Sequence, residues 1–330
     1  MAVVTNTFQS TSAVGNREDL SDIVSRITPQ DTPIYSMIGK TKCTNTRPEW
    51  EIDSLRAPAA NAQLEGDEYA YSAITVPTRV SNRTQIFREG WVVSKTQEAI
   101  DNAGSVEKIA EQKVKSAIHV RKDMELAIVS NTASVGGATR VLGGLPSWLT
   151  TNVSRGATGA NGGYSSGTGL TVAATNGTQR AFTKALLDTV MQTGYQSGAD
   201  FSDVIVSPYV KSVFVTFMSD SNVAAFRYAA DGKGKNTIVG TADIYEGPFG
   251  KVMVKPNRVM ATSAGVARNA FLLTPDFLKW GNLRAIQEDP NLAKTGDAVK
   301  GMIIGEGTLE VLNEAAHGVV ADVFGLTAST

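Results

Sequence analysis

Apolar residues near the start of the chain recur with the spacing of an amphipathic helix. From Arg17 onward they lie three or four residues apart and fall on one helical face. These positions are Leu20, Ile23, Val24 and Ile27. Thr32 and Pro33 then provide the N-cap and first-turn signals of a second short helix, which ends at Gly39. Helices this short bury too little apolar area to be stable alone, so the first 40 residues are predicted to form an arm that lies on another surface.

Two segments with alternating apolar and polar residues predict a hairpin with a long connection. In residues 46–54, Trp50 and Ile52 share one face and three acidic residues share the other. The second extended run covers residues 78–94. Between them lie the 23 residues Leu55–Pro77, a longer connection than a compact domain usually contains. The pattern therefore predicts a long projecting loop.

The strongest helical pattern begins near Ser105 and continues to about Asn131. Ser105 is the predicted N-cap, and the charged residues between the apolar positions are predicted to form a solvated face. At 1.5 Å per residue, this helix would be about 40 Å long. Its apolar positions are Val106, Ala110, Val114, Ala117, Met124 and Ile128.

The second half of the chain mixes helical and strand patterns. The low-complexity segment Arg155–Gly169 predicts a flexible surface loop and a change of domain, and residues 219–248 predict another exposed excursion. Helices are predicted from Phe182 to about Gly194 and from Pro208 to Met218. Strands are predicted at Asp203–Ser207, Lys251–Lys255, Ala270–Leu273, Leu283–Glu288, Val299–Ile304, Thr308–Leu312 and Val319–Phe324.

Composition limits the classes of protein that fit. The 330 residues can bury a substantial core, and 31 basic against 32 acidic residues exclude a surface that is basic throughout for nucleic acid. The single cysteine, Cys43, cannot form an intrachain disulfide, and the first residues lack the order of a signal peptide, which predicts a reducing compartment. No window approaches the roughly 18 apolar residues of a membrane span, so no membrane partner is expected.

Candidate chemistry is sparse. The chain has two histidines, His119 and His317, and both are interpreted as structural or solvated. Gly39-Lys40-Thr41 lacks the remaining glycine of a phosphate loop. The loops contain mainly small and neutral polar residues, so we predict no catalytic, cofactor-binding or metal site and no enzyme activity. A soluble enzyme with an unrecognised site stays open as a third alternative.

Several short segments, taken in order, resemble one family. The chain is similar to the major capsid proteins of tailed bacteriophages with the Hong Kong 97-like fold, most closely the SU10-like family. The N-terminal segments that carry the resemblance are Arg17–Asp22, Thr32–Pro33, Met37–Gly39, Glu49–Trp50 and Asp53–Leu55. The C-terminal segments are Leu292–Asp297, Glu306, Thr308–Leu309 and Asn313–Gly318.

The resemblance implies an α+β fold divided into five segments. Residues 1–42 would form the N-terminal arm, and residues 43–95 would form the extended E-loop with its flanking strands. Residues 96–179 would contain the long spine helix and glycine-rich loop of the P-domain. Residues 180–275 would form the A-domain, and residues 276–330 would return to the P-domain as its C-terminal strands.

The resemblance also implies a function. The chain would be a major capsid, or head, protein that self-assembles into hexamers and pentamers of an icosahedral shell enclosing double-stranded DNA. It would contact that DNA non-specifically, and portal, scaffold or decoration proteins would be further partners. The subunit would assemble in the bacterial host cytoplasm and reside in the virion capsid. The alternative is an encapsulin-like, cage-forming compartment protein on the same fold.

Charge divides the predicted hairpin. Residues 51–77 carry five acids against one arginine, whereas residues 78–95 carry four basic residues against one acid. We therefore expect the loop to lie across an adjacent subunit, or, in the simpler alternative, its two limbs to pair with each other. The candidates on the loop and its return limb are Glu65, Asp67, Glu68, Arg79, Arg83 and Arg88. Their candidate partners on the spine helix are Lys108, Lys113, Lys115, Arg121 and Lys122.

Overall fold

A computed structural model describes Thr7, Tyr71 and residues 27–68, 73–100, 108–217, 243–289, 292–294 and 296–330. In these residues the helices are α1 Pro33–Met37, α2 Lys95–Ala99, α3 Lys108–Val129, α4 Lys184–Ser197, α5 Pro208–Thr216 and α6 Ala264–Ala267. The first seven strands are β1 Gly39–Lys42, β2 Glu49–Ile52, β3 Thr78–Ser81, β4 Gln85–Ser94, β5 Asn152–Ser154, β6 Gly163–Ser165 and β7 Leu170–Val172. The others are β8 Asp203–Val206, β9 Ile244–Gly247, β10 Gly250–Pro256, β11 Ala270–Leu273, β12 Leu278–Glu288, β13 Ala298–Val311 and β14 Gly318–Val320.

A four-stranded sheet in the order β1-β12-β13-β4 packs against α3. Strand β13 runs as one element, whereas its sequence predicted two strands, Val299–Ile304 and Thr308–Leu312. Glycines in this strand provide space and do not form a turn. A Cβ at Gly305 would lie 2.9 Å from Met124 Cε, and a Cβ at Gly307 would lie 2.6 Å from Trp280 Nε1. The glycines therefore let the helix and the buried indole approach the strand.

The predicted hairpin is confirmed as β2 and β3, which pair antiparallel from Glu49 opposite Ser81 to Ile52 opposite Thr78. The run 78–94 is not one continuous strand, because residues 82–84 separate β3 from β4. Strand β4 pairs with β13 and leaves the hairpin. The return limb of the loop is therefore attached directly to the four-stranded sheet.

The long helix is confirmed over Lys108–Val129, whereas Ser105 and Val106 lie outside the described residues. Its predicted apolar stripe is buried at Met124 and Ile128. The stripe is wrong in the first half, since Ala110 and Val114 are exposed. The buried face begins at Ser116, where the helix reaches the core, so the earlier turns extend beyond it.

A six-stranded sheet in the order β5-β14-β11-β8-β10-β9 separates two cores. Along β8, Ile205 faces the core shared with α3, whereas Val204 and Val206 face the core formed with α4 and α5. The predicted strands at β8, β10 and β11 and the predicted helices at α4 and α5 are confirmed. Strand β12 begins at Leu278, five residues before the predicted start at Leu283. The prediction therefore omitted the buried first half of this strand.

Each of the two segments predicted to be exposed contains a strand, so the prediction of a flexible loop is wrong at Arg155–Gly169 and untested over most of residues 219–248. Arg155–Gly169 includes β6 and packs closely, because a Cβ at Gly156 would lie 2.0 Å from Thr178 O and a Cβ at Gly162 would lie 2.3 Å from Val172 O. The end of the excursion 219–248 forms β9, an edge strand of the larger sheet, while residues 218–242 lie outside the described residues. The glycines of the first segment thus permit close backbone packing.

The last predicted strand, Val319–Phe324, is shorter in the structure. It ends at Val320, since Asp322 adopts a left-handed backbone conformation with φ 61°. No helix in the described part of the chain is long and apolar enough to cross a membrane.

The five proposed segments stay a prediction, but their elements are interleaved in space. The larger sheet contains β5 and β14, which come from outside residues 180–275. Within the predicted arm, β1 pairs with β12 and the side chains of Ile34 and Tyr35 enter the main core. The last ten residues of that arm therefore pack on the chain's own core.

Candidate assembly interface

The loop between β2 and β3 exposes an unusual amount of apolar surface. Its described residues form no helix or strand. Five large apolar side chains along it have exposed fractions of 77–97%. These are Leu55, Leu64, Tyr71, Ile74 and Val76. So many large exposed apolar side chains on one loop are typical of an interaction site, because burying each of them gains roughly 1.5–3 kcal/mol.

The charged candidates on this hairpin are not brought together. Glu65, Asp67 and Glu68 are exposed and form no ion pair within the described residues. Arg79 lies at the base of the hairpin, where its guanidinium is 3.5 Å from Glu49 and 3.9 Å from Glu51. This contact fits the alternative in which the two limbs pair with each other, but it does not involve the acids of the loop.

The two other candidate arginines lie beyond β3. Arg83 is half-buried in the turn before β4, and Arg88 is exposed on β4. Neither forms an ion pair in the part of the chain that the structure describes. Their positions place positive charge along the root of the loop.

The root of the loop is held firmly by polar contacts. The buried Asn82 side chain donates to Gly143 O at 3.2 Å and Leu309 O at 2.7 Å. Trp50 Nε1 donates to Val311 O at 2.9 Å, and its ring packs against Trp148 at 5.6 Å between centroids. The loop therefore projects from a fixed base.

The buried carboxylate of Glu306 also stabilises the root of the loop. Glu306 accepts from Thr84 at 2.9 Å, Arg140 at 2.7 Å and Arg284 at 3.0 Å. Burial acts to raise the pKa of Glu306, but the hydrogen bonds from these three side chains hold it below its ordinary value. An ionised Glu306 thus connects β13 to the start of β4 and to β12.

The basic face of α3 is partly neutralised within the chain. Lys108 and Lys115 lie 3.9 Å and 2.5 Å from Glu111, and Lys113 lies 3.1 Å from Glu288. These three candidates therefore already have acidic partners. Arg121 and Lys122 form no ion pair among the described residues. A pocket of about 220 Å³ is lined by Lys115, Ile118, His119, Lys122 and residues 28–30.

The predicted apolar stripe of the arm falls mostly outside the described residues. Leu20, Ile23 and Val24 lie there, whereas Ile27 is described and fully exposed. The stripe therefore stays a prediction.

Glu125, on α3, anchors the arm, and the sequence analysis did not identify it. Its fully buried carboxylate accepts from Ile34 N at 3.0 Å, Tyr35 N at 2.7 Å and Asn257 Nδ2 at 2.6 Å. Burial raises the pKa of Glu125, and the three hydrogen bonds oppose that shift. The sequence signal that could have identified Glu125 is its position next to Met124 and about one turn before Ile128, on the apolar face of α3.

The histidines and the glycine-lysine-threonine motif take structural roles. His119 is exposed with Nδ1 3.4 Å from Glu89, and His317 is fully buried. Gly39–Thr41 belongs to β1 and pairs with β12, so it does not form a phosphate-binding loop. Within the described residues, no group of His, Cys, Asp and Glu side chains could hold a metal ion.

We expect the free energy of unfolding to decrease as the pH is lowered below 6.5, because His317 is buried in its neutral form. Its Nδ1 accepts from Thr274 N at 3.3 Å and its Nε2 faces Phe277 O at 3.5 Å, which fits the neutral ring. Burial lowers the pKa of His317 from 6.5 to about 4. The neutral ring's contribution is complete above pH 6.5 and is lost as pH falls towards 4, up to about 3 kcal/mol.

Urea denaturation across this pH range checks the expectation. His317→Gln keeps an acceptor and a donor but does not titrate, so it should remove that part of the pH dependence. His119→Gln, at the exposed histidine, is the matched control. Equal pH slopes for the His317→Gln variant and the unaltered chain would contradict the assignment.

The family comparison covers nearly the whole chain. The model of the SU10 major capsid protein matches residues 3–324. The chain belongs to this family. The major capsid protein of Escherichia phage Phieco32 is 30% identical over 127 residues, which are 38% of this chain. That match spans 36% of the relative's own length.

Comparison with solved structures shows that this chain has the Hong Kong 97-like fold. A chain of the cyanophage A-1(L) capsid asymmetric unit has a TM-score of 0.60 and 12% identity, covering 96% of this chain and 98% of that one. A chain of Mycobacterium phage Adephagia has a TM-score of 0.59 and 12% identity, with coverages of 96% and 98%. The α+β fold predicted from the sequence is therefore confirmed.

Proposed function

We propose that this chain is the major capsid protein of a tailed bacteriophage. Copies form hexamers and pentamers, and these build an icosahedral shell around double-stranded DNA. The family match over residues 3–324 carries the proposal. The encapsulin-like alternative is not favoured, because the matching family is one of phage capsid proteins.

A shell of this kind is stabilised by many weak contacts made together. Closed symmetry repeats every contact in each copy, so a small free energy per contact becomes decisive. The near-zero net charge of -1 suits subunits that lie side by side. The shell would hold its DNA through non-specific phosphate contacts, would include other virion proteins such as portal, scaffold or decoration protein, and would assemble in the host cytoplasm.

The projecting loop is proposed to lie across a second copy. Its five exposed apolar side chains would be buried there, and the acids Glu65, Asp67 and Glu68 would face basic groups of α3. Arg121 and Lys122 are the favoured partners, since neither has an ion pair within the described residues. Apolar burial would provide most of the affinity and the charges would fix the register.

Replacing Glu65, Asp67 and Glu68 by Gln, Asn and Gln is expected to weaken assembly and to reduce its salt dependence. Exposed ion pairs contribute only about 0–1 kcal/mol each, and salt screens them beyond about 10 Å at 0.1 M. Light scattering across a salt series measures both effects. A control variant changes three exposed acids elsewhere, Asp200→Asn, Glu246→Gln and Asp276→Asn.

The outcome separates the two interpretations of the loop charges. A shifted assembly midpoint with a smaller salt slope, absent in the control, supports contact with a second copy. An unchanged midpoint and slope would leave only the role of keeping a long loop soluble.

A further inference from the structure

An apolar pocket of about 490 Å³ opens at the root of the projecting loop. Ile52, the last residue of β2, and Thr78, the first residue of β3, form one side of it. The hairpin of β6 and β7 forms the other side, where Val172 is 53% exposed. The pocket is therefore accessible from solvent, and its volume lies in the range of ligand-binding pockets.

Two aromatic rings give this pocket a rigid, flat wall. The rings of Trp148 and Tyr164 are stacked, with centroids 5.7 Å apart and an angle of 4° between their planes. Trp148 Nε1 donates to Gly143 O at 3.3 Å, which fixes the buried ring. Preformed aromatic surfaces of this kind bind extended segments that contain proline, because neither surface has to be ordered on binding.

Among the described residues, Glu314 is the only charged side chain that lines the pocket. Its carboxylate accepts from Thr150 N at 3.0 Å, from Thr151 N at 3.2 Å and from the Thr151 hydroxyl. These donors are neutral, and Glu314 forms no ion pair in the part of the chain that the structure describes. The pocket thus presents a fixed negative charge beside apolar and aromatic side chains.

The first limb of the projecting loop contains a segment with complementary chemistry, Leu55–Pro58. The side chain of Leu55 is 97% exposed. Arg56 is the only basic residue of the loop, and its Nη1 donates to Ala57 O at 3.1 Å. Within the described residues Arg56 forms no ion pair. Pro58 favours an extended backbone at the residue before it, so the segment presents an apolar side chain, a cation and a proline along an extended chain.

We propose that Leu55–Pro58 of one copy binds in this pocket of a second copy. Arg56 pairs with Glu314, while Leu55 and Pro58 contact the apolar and aromatic walls. The inference rests on the proposed function, in which the loop lies across a second copy.

The segment of the same chain does not occupy the pocket. Leu55 follows Ile52, which lines the pocket, by only three residues, and yet Leu55 stays almost fully exposed. Segment and pocket are different surfaces of one chain, so the contact between copies is head-to-tail. Contacts of this type produce rings when the rotation between copies closes, as in the proposed hexamers and pentamers.

Cysteine cross-linking of the full chain tests the contact. In the variant Leu55→Cys with Val172→Cys, oxidised glutathione should link each segment to the pocket of the next copy and give a ladder of multimers on a denaturing gel. Pairing within one chain gives no ladder. The native Cys43 does not compete, because burial and the carboxylate of Glu310 raise the pKa of Cys43 to about 12. Leu64→Cys with Val172→Cys is the matched control, since Leu64 is exposed on the same loop but lies outside the segment.

Arg56→Glu provides a second measurement that needs no cysteine. Two carboxylates then meet at Glu314, so the concentration at which half of the chain assembles should rise at least about tenfold. Lys184→Glu makes the same change of charge at an exposed residue at the start of α4 and should leave that concentration unchanged.

A ladder from the first cysteine pair alone, together with the shift in Arg56→Glu, supports the contact. The absence of a ladder, an equal ladder in the Leu64 control, or an unchanged midpoint in Arg56→Glu would overturn it. Electron microscopy of the unaltered chain separates this result from the proposed function. Closed shells without a ladder remove only the pocket, whereas a folded chain that forms neither shells nor a ladder contradicts both.

Discussion

Replacing Asp322 by Asn is expected to lower the free energy of unfolding by about 3–5 kcal/mol. The amide removes the only ionic partner of Arg268 within the described residues and turns one oxygen that faces a backbone N–H into a donor. Asparagine tolerates the left-handed conformation that Asp322 adopts, so the change isolates the charge from the backbone. The loss is large because a buried guanidinium is left unpaired.

Urea denaturation followed by tryptophan fluorescence measures this loss. Asp276→Asn is the control, because Asp276 is exposed and forms no ion pair in the described part of the chain. A change below about 1 kcal/mol in Asp322→Asn would show that the ion pair between Asp322 and Arg268 does not anchor the C-terminal loops.

The double variant Leu20→Asp with Ile23→Asp is expected to abolish shell closure while leaving a folded subunit. Each buried aliphatic side chain contributes roughly 1.5–3 kcal/mol, and an inserted charge costs more than that contribution. The loss recurs in every copy of the shell. Ser21→Asp with Ser25→Asp adds the same charge at polar positions of the arm and is the matched control.

Circular dichroism and size-exclusion chromatography of the two variants separate folding from assembly. Shells of normal size and yield from the first variant would mean that the arm is not an assembly element. Loss of shells in both variants would attribute the effect to charge alone and would equally remove the apolar stripe from the account.

Local pattern predicts the elements whose side chains alternate or recur without interruption. The second half of α3 and strand β10 follow from apolar spacing, whereas β8 and β11 follow from short continuous apolar runs that are buried on both faces. The projecting loop follows from its length and composition. The resemblance of its terminal segments identifies the family, which the match over residues 3–324 confirms.

Contacts between distant residues are not contained in such patterns. Glu125 bonds to Tyr35, 90 residues away, and Asp322 bonds to Gly156, 166 residues away. A glycine that makes room for an indole, such as Gly307, has the same sequence signal as a glycine in a turn. The anchor of the arm, the partners of Asp322 and the continuity of β13 therefore emerge only in the folded chain.

Electron microscopy of the chain expressed alone tests the central claim most directly. The exposed apolar loop and the family membership predict closed shells of uniform diameter, built from rings of six and five subunits. A preparation that contains only folded monomers or small open oligomers, under conditions where the loop and arm are intact, would contradict the assignment of this chain as a self-assembling capsid subunit.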